Sequence, residues 1–157
     1  YQKCSINPNI ITMAKGMGNG FPVGGILAHS SIESKYGMLG TTFGGNHLAC
    51  SASIAVLDVI KNEGLQEHAK EMGNYFIDFA KKMSSVKKVK GRGLMLGLEF
   101  DFPVGPLRKE LIYNQHIFTG GSSNKNLLRI LPPLTIQKKH FDIFFQKLEE
   151  ALKAIDV

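Results

Sequence analysis

The sequence has little cysteine and no long apolar segment, and both shortages narrow the class of protein. Only two cysteines occur in 157 residues, Cys4 and Cys50, and neither lies at the spacing of a metal-binding motif. No apolar run approaches the roughly 20 residues that cross a bilayer, and no secretory signal pattern is present. We therefore expect a protein of the reducing cytoplasm that does not engage a membrane.

Patterns typical of metal or nucleic-acid binding are also missing. The five histidines are scattered without ligand spacing, so no metal site is predicted. The net charge is +6, but no aromatic residues interleave with the densest basic cluster. That cluster comprises Lys81, Lys82, Lys87, Lys88 and Lys90. It is typical of a solvated helix end, and we expect no nucleic-acid partner.

The most informative pattern present surrounds Lys15. A short β-type segment, residues 10–13, leads to Lys15 and then to a loop with glycines at 16, 18 and 20. A lysine buried among apolar residues tends to lose its proton, and the neutral amine is the form that makes Schiff bases. Glycines let the backbone approach a planar group without a Cβ clash. The alternative is a β-turn with a solvated lysine, which is the commoner outcome for this pattern alone.

Two other stretches carry side chains suited to anions. Thr42 lies in a glycine-rich loop ahead of a predicted helix, where a hydroxyl is well placed for phosphate; the alternative is a capping threonine. Arg129 precedes a double proline, and a guanidinium binds a carboxylate through two hydrogen bonds; the alternative is an ordinary salt bridge. The glycines after Lys15 also suggest a phosphate- or nucleotide-binding loop, but they lack the spacing of the known fingerprints.

Hydrophobic periodicity predicts an α/β chain. Strands are predicted at 10–13, 23–29, 86–89, 94–100, 117–119 and 127–131. Helices are predicted to start at Ser30, to run from Asn46 as cap to about 61, and to span 65–83, 107–114 and 135–155 with Thr135 as cap. Gly64 is expected to end the Asn46 helix, and the aromatic stripe of the last helix is expected to be core.

Four stretches, in order, resemble the class III pyridoxal-phosphate (PLP) aminotransferases. They are residues 8–25, 40–50, 91–97 and 128–134. The resemblance covers essentially the whole chain, and within the family it is closest to the enzymes of acetylornithine and succinylornithine. It implies the PLP-dependent transferase fold (fold type I), with a remnant of the large mixed-sheet domain in residues 1–75 and the small α+β C-terminal domain in 76–157.

The resemblance also implies roles for four residues. Lys15 would hold PLP as a Schiff base and shuttle the substrate proton, and Thr42 would contact the phosphate of the neighbouring subunit's cofactor. Thr41 would contact substrate, and Arg129 would bind the α-carboxylate of glutamate or 2-oxoglutarate. The implied reaction moves the δ-amino group of N-acetylornithine, or its succinyl analogue, to 2-oxoglutarate in arginine biosynthesis. The implied assembly is a homodimer with a shared active site, whose partners are amino acids and 2-oxo acids.

Several parts of the family pattern have no counterpart between Tyr1 and the chain end. They are the Asp that pairs with the pyridine nitrogen, the stacking aromatic and an upstream phosphate turn. We therefore expect a C-terminal portion of a longer enzyme, inactive alone, whose first two strands lack sheet neighbours. We expect its ordered packing to rest on residues 94–155 and the two preceding helices.

Other functions stay open at this point. Ornithine and 4-aminobutyrate aminotransferases of the same family share the motifs. A phosphate- or nucleotide-binding module and an inactive fragment with a structural role are alternatives from other classes.

Overall fold

The computed structural model describes residues 4–155, which form two compact units. Unit 1 ends at Glu63 and unit 2 begins at Gly64. Tyr1, with residues 2–3 and 156–157, lies outside the described residues. Within residues 4–155, no helix is long and apolar enough to cross a membrane. The predicted domains, 1–75 and 76–157, refer to the whole family fold, and that division stays a prediction.

Unit 1 contains one two-stranded sheet and one long helix. Strand β1 (Ile10–Met13) is followed by a short 3₁₀ helix (Lys15–Gly18), strand β2 (Gly25–Ala28) and helix α1 (His47–Asn62). The strands are antiparallel, with Ile10 opposite Ala28 and Met13 opposite Gly25. The strand predicted at 10–13 is confirmed, and the one predicted at 23–29 is shorter.

Helix α1 starts where the sequence predicts. The Asn46 side chain accepts a hydrogen bond from the Ala49 N–H at 2.9 Å and donates one to the Phe43 carbonyl at 2.8 Å. An asparagine at this position satisfies one of the free N–H groups of the first turn. At the other end, Gly64 has a φ of +61°, which is the left-handed conformation expected of a glycine just past a helix.

The helix predicted to start at Ser30 is wrong. Residues 30–33 form a turn and a bend, in which the Ile32 N–H donates to the His29 carbonyl at 2.9 Å. The Ser31 N–H donates to Nδ1 of His29 at 3.2 Å. These local side-chain bonds replace the pattern that a helix cap requires.

Unit 2 is an antiparallel sheet packed with helices. Its elements are α2 (Leu65–Ala80), β3 (Lys88–Arg92), β4 (Met95–Glu99), α3 (Gly105–Tyr113), β5 (Leu127–Ile130) and α4 (Lys138–Ala154). The strand order is β3-β4-β5, with Val89 opposite Leu98 and Gly97 opposite Arg129. Helix α2 packs on β3 and β4, while α4 packs against α2 and α3.

The hydrophobic core of the described residues lies in unit 2. Its centre is Phe76, whose ring centroid is 5.1 Å from that of Phe141 and 4.9 Å from that of Phe145. All three rings are fully buried. Burial of one such side chain stabilises the fold by roughly 1.5–3 kcal/mol. The expectation that the aromatic stripe of α4 is core packing is therefore confirmed.

Two predictions in unit 2 are wrong. Residues 117–119 form no strand, because His116 has a φ of +57° and the Ile117 N–H turns back to the Leu111 carbonyl at 2.7 Å. Thr135 does not cap the last helix, which begins at Lys138 after Gln137. The Gln137 N–H donates to Nδ1 of His140 at 3.1 Å, so a capping interaction forms two residues later than predicted.

Candidate functional site

Lys15 occupies an unusual backbone conformation at the end of β1. Ala14 is extended, and Lys15 then takes a φ of +58° as it begins the 3₁₀ helix. Residues other than glycine rarely adopt this left-handed backbone conformation. It costs on the order of 1–3 kcal/mol of conformational free energy, and such residues cluster at functional sites. The turn is closed by the Asn19 N–H, which donates to the Gly16 carbonyl at 3.1 Å.

The Lys15 side chain is exposed, so the apolar burial predicted for it is not found within the described residues. The reason is that the two strands of unit 1 leave their own apolar side chains in solvent. Ile10 is 51% exposed and Leu27 is 57% exposed. The side chains of these two strands therefore do not pack around Lys15 within residues 4–155.

The three glycines after Lys15 serve different purposes. A Cβ on Gly16 or Gly20 would meet no heavy atom of the described residues within 4 Å, so the space at these two backbone positions is open. A Cβ on Gly18 would lie 2.7 Å from Cγ1 of Val23, so this glycine allows close packing. Gly20 also has a φ of +103°.

Thr41 and Thr42 are both exposed in the loop that leads into α1. Because Asn46 caps this helix, the alternative that Thr42 is the capping residue is not supported. The Thr41 methyl group packs against Gly44, where any Cβ would overlap Cγ2 of Thr41. The 3₁₀ helix that starts at Lys15 contacts α1 within unit 1. Two exposed hydroxyls therefore precede a helix that contacts the 3₁₀ helix beginning at Lys15.

Arg129 is an exposed residue of β5 in unit 2. Its backbone N–H donates to the Gly120 carbonyl at 3.0 Å, and the backbone N–H of Gly120 donates to the Arg129 carbonyl at 2.9 Å. Among residues 4–155, its guanidinium forms none of the ion pairs; those join Lys70 to Glu67, Lys87 to Asp101 and Lys90 to Glu99. The salt-bridge alternative is therefore not supported within this part of the chain.

Shifted pKa values in unit 2 arise from surface pairs. The hydrogen bond from Lys90, whose Nζ lies 2.8 Å from Oε2, holds the pKa of Glu99 below its usual value. The hydrogen bond to Asp142 raises the pKa of Tyr75. These partners explain the shifts without a ligand. In the described part of the chain, no group of three or more acidic, histidine or cysteine side chains could hold a metal ion.

The side chains predicted from the sequence as site residues are all exposed, and they fall in two different units. In general, an exposed amine can form a Schiff base with an aldehyde, a hydroxyl can donate to a phosphate, and a guanidinium can bind a carboxylate. The lysine and the threonines belong to unit 1, and the arginine belongs to unit 2. Sequence reasoning missed Gly120, the backbone partner of Arg129; the only signal was a Gly-Gly pair just before β5.

Comparisons with known proteins agree in family. The family model for aminotransferase class-III matches residues 1–152. The chain is 43% identical to the acetylornithine aminotransferase of Aquifex aeolicus over 97% of its own length and 40% of that protein. It is 37% identical to the ornithine aminotransferase of Oceanobacillus iheyensis over 94% of its own length and 38% of that protein.

A solved structure resembles the chain closely in fold. The crystal structure of acetylornithine aminotransferase from Elizabethkingia anophelis superposes with a TM-score of 0.83 at 28% identity, over 98% of this chain and 43% of that one. The chain thus spans about two fifths of the length of the relatives it matches. The fold is that of the PLP-dependent aminotransferases, fold type I, as the sequence predicted.

Proposed function

The chain belongs to the class-III aminotransferases, and from that membership we propose that it is the C-terminal part of a PLP-dependent enzyme. The enzyme transfers the δ-amino group of N-acetylornithine, or of N-succinylornithine, to 2-oxoglutarate, as a step of arginine biosynthesis in the cytoplasm. The observation that carries the proposal is the exposed Lys15 amine at the left-handed end of β1, with open space at the adjacent glycines. The similarity to acetylornithine aminotransferases supports the substrate.

The role proposed for Lys15 has two parts. PLP, when bound, supplies the electron sink that stabilises negative charge on the reacting carbon of the substrate. The ε-amine of Lys15 is the group that would hold the cofactor through its aldehyde. The same amine would accept the proton from the substrate carbon that bears the amino group and would return it later.

Thr42 and Thr41 are proposed to act from the loop before α1. The Thr42 hydroxyl would donate to the cofactor phosphate of a neighbouring subunit, and the Thr41 hydroxyl would contact substrate. Exposure of both side chains supports this assignment, as does the separate cap provided by Asn46. This role for Thr42 makes the enzyme a homodimer whose active site is shared between subunits.

Arg129 is proposed to bind the α-carboxylate of glutamate and of 2-oxoglutarate. Its planar guanidinium can offer two parallel N–H groups to one carboxylate, which a lysine cannot do. The exposed side chain and its lack of an ion pair in residues 4–155 support this role. The remaining PLP contacts, above all the acid that faces the pyridine nitrogen, are proposed to come from the rest of the enzyme. The 157-residue chain alone is therefore expected to be inactive.

A donor-substrate comparison tests the proposal. The full-length protein is loaded with PLP and supplied with 2-oxoglutarate and one amino donor at a time. The donors are N-acetylornithine, N-succinylornithine, ornithine and 4-aminobutyrate, and glutamate formation is followed. We expect an acylornithine to have the highest kcat/KM. Turnover of another donor with neither acylornithine used would remove the substrate claim while leaving the aminotransferase assignment.

Ornithine aminotransferase is the second candidate, because one similar relative carries that name. Unmodified ornithine differs from the acylated substrates by the charge on its α-amino group. A kcat/KM for ornithine above those for both acylornithines would establish this second candidate instead.

A further inference from the structure

The guanidinium of Arg129 lies directly over the backbone of Gly120, and we propose that the missing side chain of Gly120 positions it for carboxylate binding. A Cβ on Gly120 would lie 2.8 Å from Nε of Arg129, 3.2 Å from Nη2 and 3.4 Å from Cζ. Contact with all three atoms places much of the flat guanidinium over one backbone position. The inference rests on the carboxylate-binding role proposed for Arg129.

The backbones of the same two residues are tied together. Gly120 and Arg129 exchange two hydrogen bonds, of 2.9 and 3.0 Å, in an isolated antiparallel bridge beside β5. The main chain of Gly120 therefore stays at a set distance from the base of the arginine side chain. The guanidinium can fold back over Gly120 because that position has no Cβ.

The segment 119–121 is also held on the side of α3. Nε of Arg108, a residue of α3, donates to the Thr119 carbonyl at 3.0 Å. Thr119 is only 4% exposed. Since Thr119 and Gly120 are both held by hydrogen bonds, the backbone has little freedom to retreat from a new side chain at position 120.

A methyl group at position 120 would therefore displace the arginine. The atoms it would meet belong to the far end of a long, flexible side chain, which can rotate away at little cost to the fold. Gly120 is not among the residues with positive φ, so alanine can adopt its backbone conformation. We expect a folded protein whose guanidinium no longer presents its two N–H groups in the plane that a carboxylate needs.

The test measures glutarate binding by the full-length, PLP-loaded protein with calorimetry, alongside thermal unfolding. Glutarate has two carboxylates but no amino or keto group, so it reports carboxylate recognition without chemistry. We expect Gly120→Ala to raise the Kd for glutarate at least about tenfold, since hydrogen bonds to charged groups are strong. The unfolding midpoint should stay within about 2 °C. In turnover, KM for 2-oxoglutarate should rise more than kcat falls.

Gly121→Ala is the matched control. A Cβ at that position would approach Nη1 of Arg108 at 3.6 Å, which is ordinary contact, and Gly121 also has no positive φ. We expect Gly121→Ala to leave both the glutarate Kd and the unfolding midpoint unchanged. An equal loss of binding in both glycine variants would assign the effect to loop stiffness and overturn the inference.

Arg129→Ala separates this inference from the proposed function. If Arg129→Ala binds glutarate like wild type, the carboxylate role of Arg129 fails, and the positioning role with it. If Arg129→Ala binds weakly but Gly120→Ala binds normally, the role of Arg129 stands and the positioning inference is wrong. The double variant should bind no more weakly than Arg129→Ala, and a further loss would overturn the inference. Unfolding of Gly120→Ala would also overturn it, because the backbone would then be the part that yields.

Discussion

Unit 1 and unit 2 bury their apolar side chains to very different extents. In unit 2, Phe76, Phe141 and Phe145 form a closed core in which each ring is fully buried. In unit 1, by contrast, Phe43 is 80% exposed and Leu57 of α1 is 61% exposed. Exposed apolar surface of this kind usually marks a surface that another element covers.

The proposed site residues divide between these two kinds of environment. Arg129 is held by strand pairing within a unit that supplies its own core. Lys15 and the two threonines stand on elements whose apolar faces are open. The residue proposed to bind carboxylate therefore lies in the unit with the closed core, and the residues proposed to bind the cofactor lie in the unit with the exposed apolar faces.

The largest expected effect concerns the proposed catalytic role of Lys15 in unit 1. In the full-length enzyme, Lys15→Ala removes the amine that holds the cofactor and moves the substrate proton. General acid–base transfer alone contributes roughly 10²–10⁴-fold, so kcat should fall by at least that factor. The measurement is the steady-state rate of glutamate formation. Lys35→Ala, another exposed lysine of unit 1, should retain wild-type turnover, and near-normal turnover of Lys15→Ala would show that a different lysine is used.

The difference in burial between the two units is tested with two alanine substitutions in the 157-residue chain. Phe76→Ala should lower the free energy of unfolding by about 3–5 kcal/mol, because it opens a cavity at the centre of the core. Leu57→Ala should change it by less than about 0.5 kcal/mol, because that side chain is already in solvent. Urea denaturation followed by circular dichroism measures both.

The same alanine substitutions in the full-length protein test whether further protein covers the exposed face of α1. If further protein covers α1, Leu57→Ala should cost substantially more there, in the range of about 2–5 kcal/mol found for buried leucines. An equally small cost in both proteins would mean that this face of α1 stays in solvent.

The arginine is tested by a conservative change. Arg129→Lys keeps the positive charge but loses the paired N–H groups, so KM for 2-oxoglutarate should rise by roughly 10- to 100-fold, in line with the strength of charged hydrogen bonds. PLP affinity, measured by fluorescence titration, should change little. A fall in PLP affinity at constant KM would make Arg129 a cofactor or structural residue and would weaken the division between the two units.

The smallest expected effect concerns Glu99 in unit 2. Its pKa in the folded state is lowered from 4.5 by the hydrogen bond from Lys90, so the contribution to stability is present above that pH and is lost as the pH falls through the folded pKa. Glu99→Gln should reduce the loss of stability in that acidic range. Glu149→Gln is the control, since Glu149 is exposed and forms none of the ion pairs within residues 4–155. Equal pH dependence in wild type and Glu99→Gln would contradict the pairing.

Features set by local bonds could be predicted from the sequence. Asn46 is predictable as a cap because an asparagine side chain accepts from an N–H three residues ahead, and here it accepts from that of Ala49. Ser30 and Thr135 are also residue types that cap helices, but neither caps one here. Near each of them a histidine ring accepts from the backbone instead: His29 from the Ser31 N–H, and His140 from the Gln137 N–H. A cap motif therefore predicts a helix start only when no neighbouring side chain offers an alternative.

Features set by contacts distant in sequence could not be predicted. The exposure of Lys15 depends on what packs around β1 and β2, and short apolar runs carry no information about their partners. The contact of Gly120 with the Arg129 guanidinium joins residues from a loop and a strand. The motifs predict the candidate side chains, whereas the contact between Gly120 and the Arg129 guanidinium is seen only in the folded structure.

The most direct test of the account is to find which lysine binds PLP. The full-length protein is incubated with PLP and treated with borohydride, which reduces the C=N bond between a lysine and the cofactor to a stable link, and its peptides are mapped by mass spectrometry. We expect the pyridoxyl mass on the peptide that contains Lys15 and none on the peptide that contains Lys35. Pyridoxyl label on another lysine, with Lys15 unmodified, would contradict it.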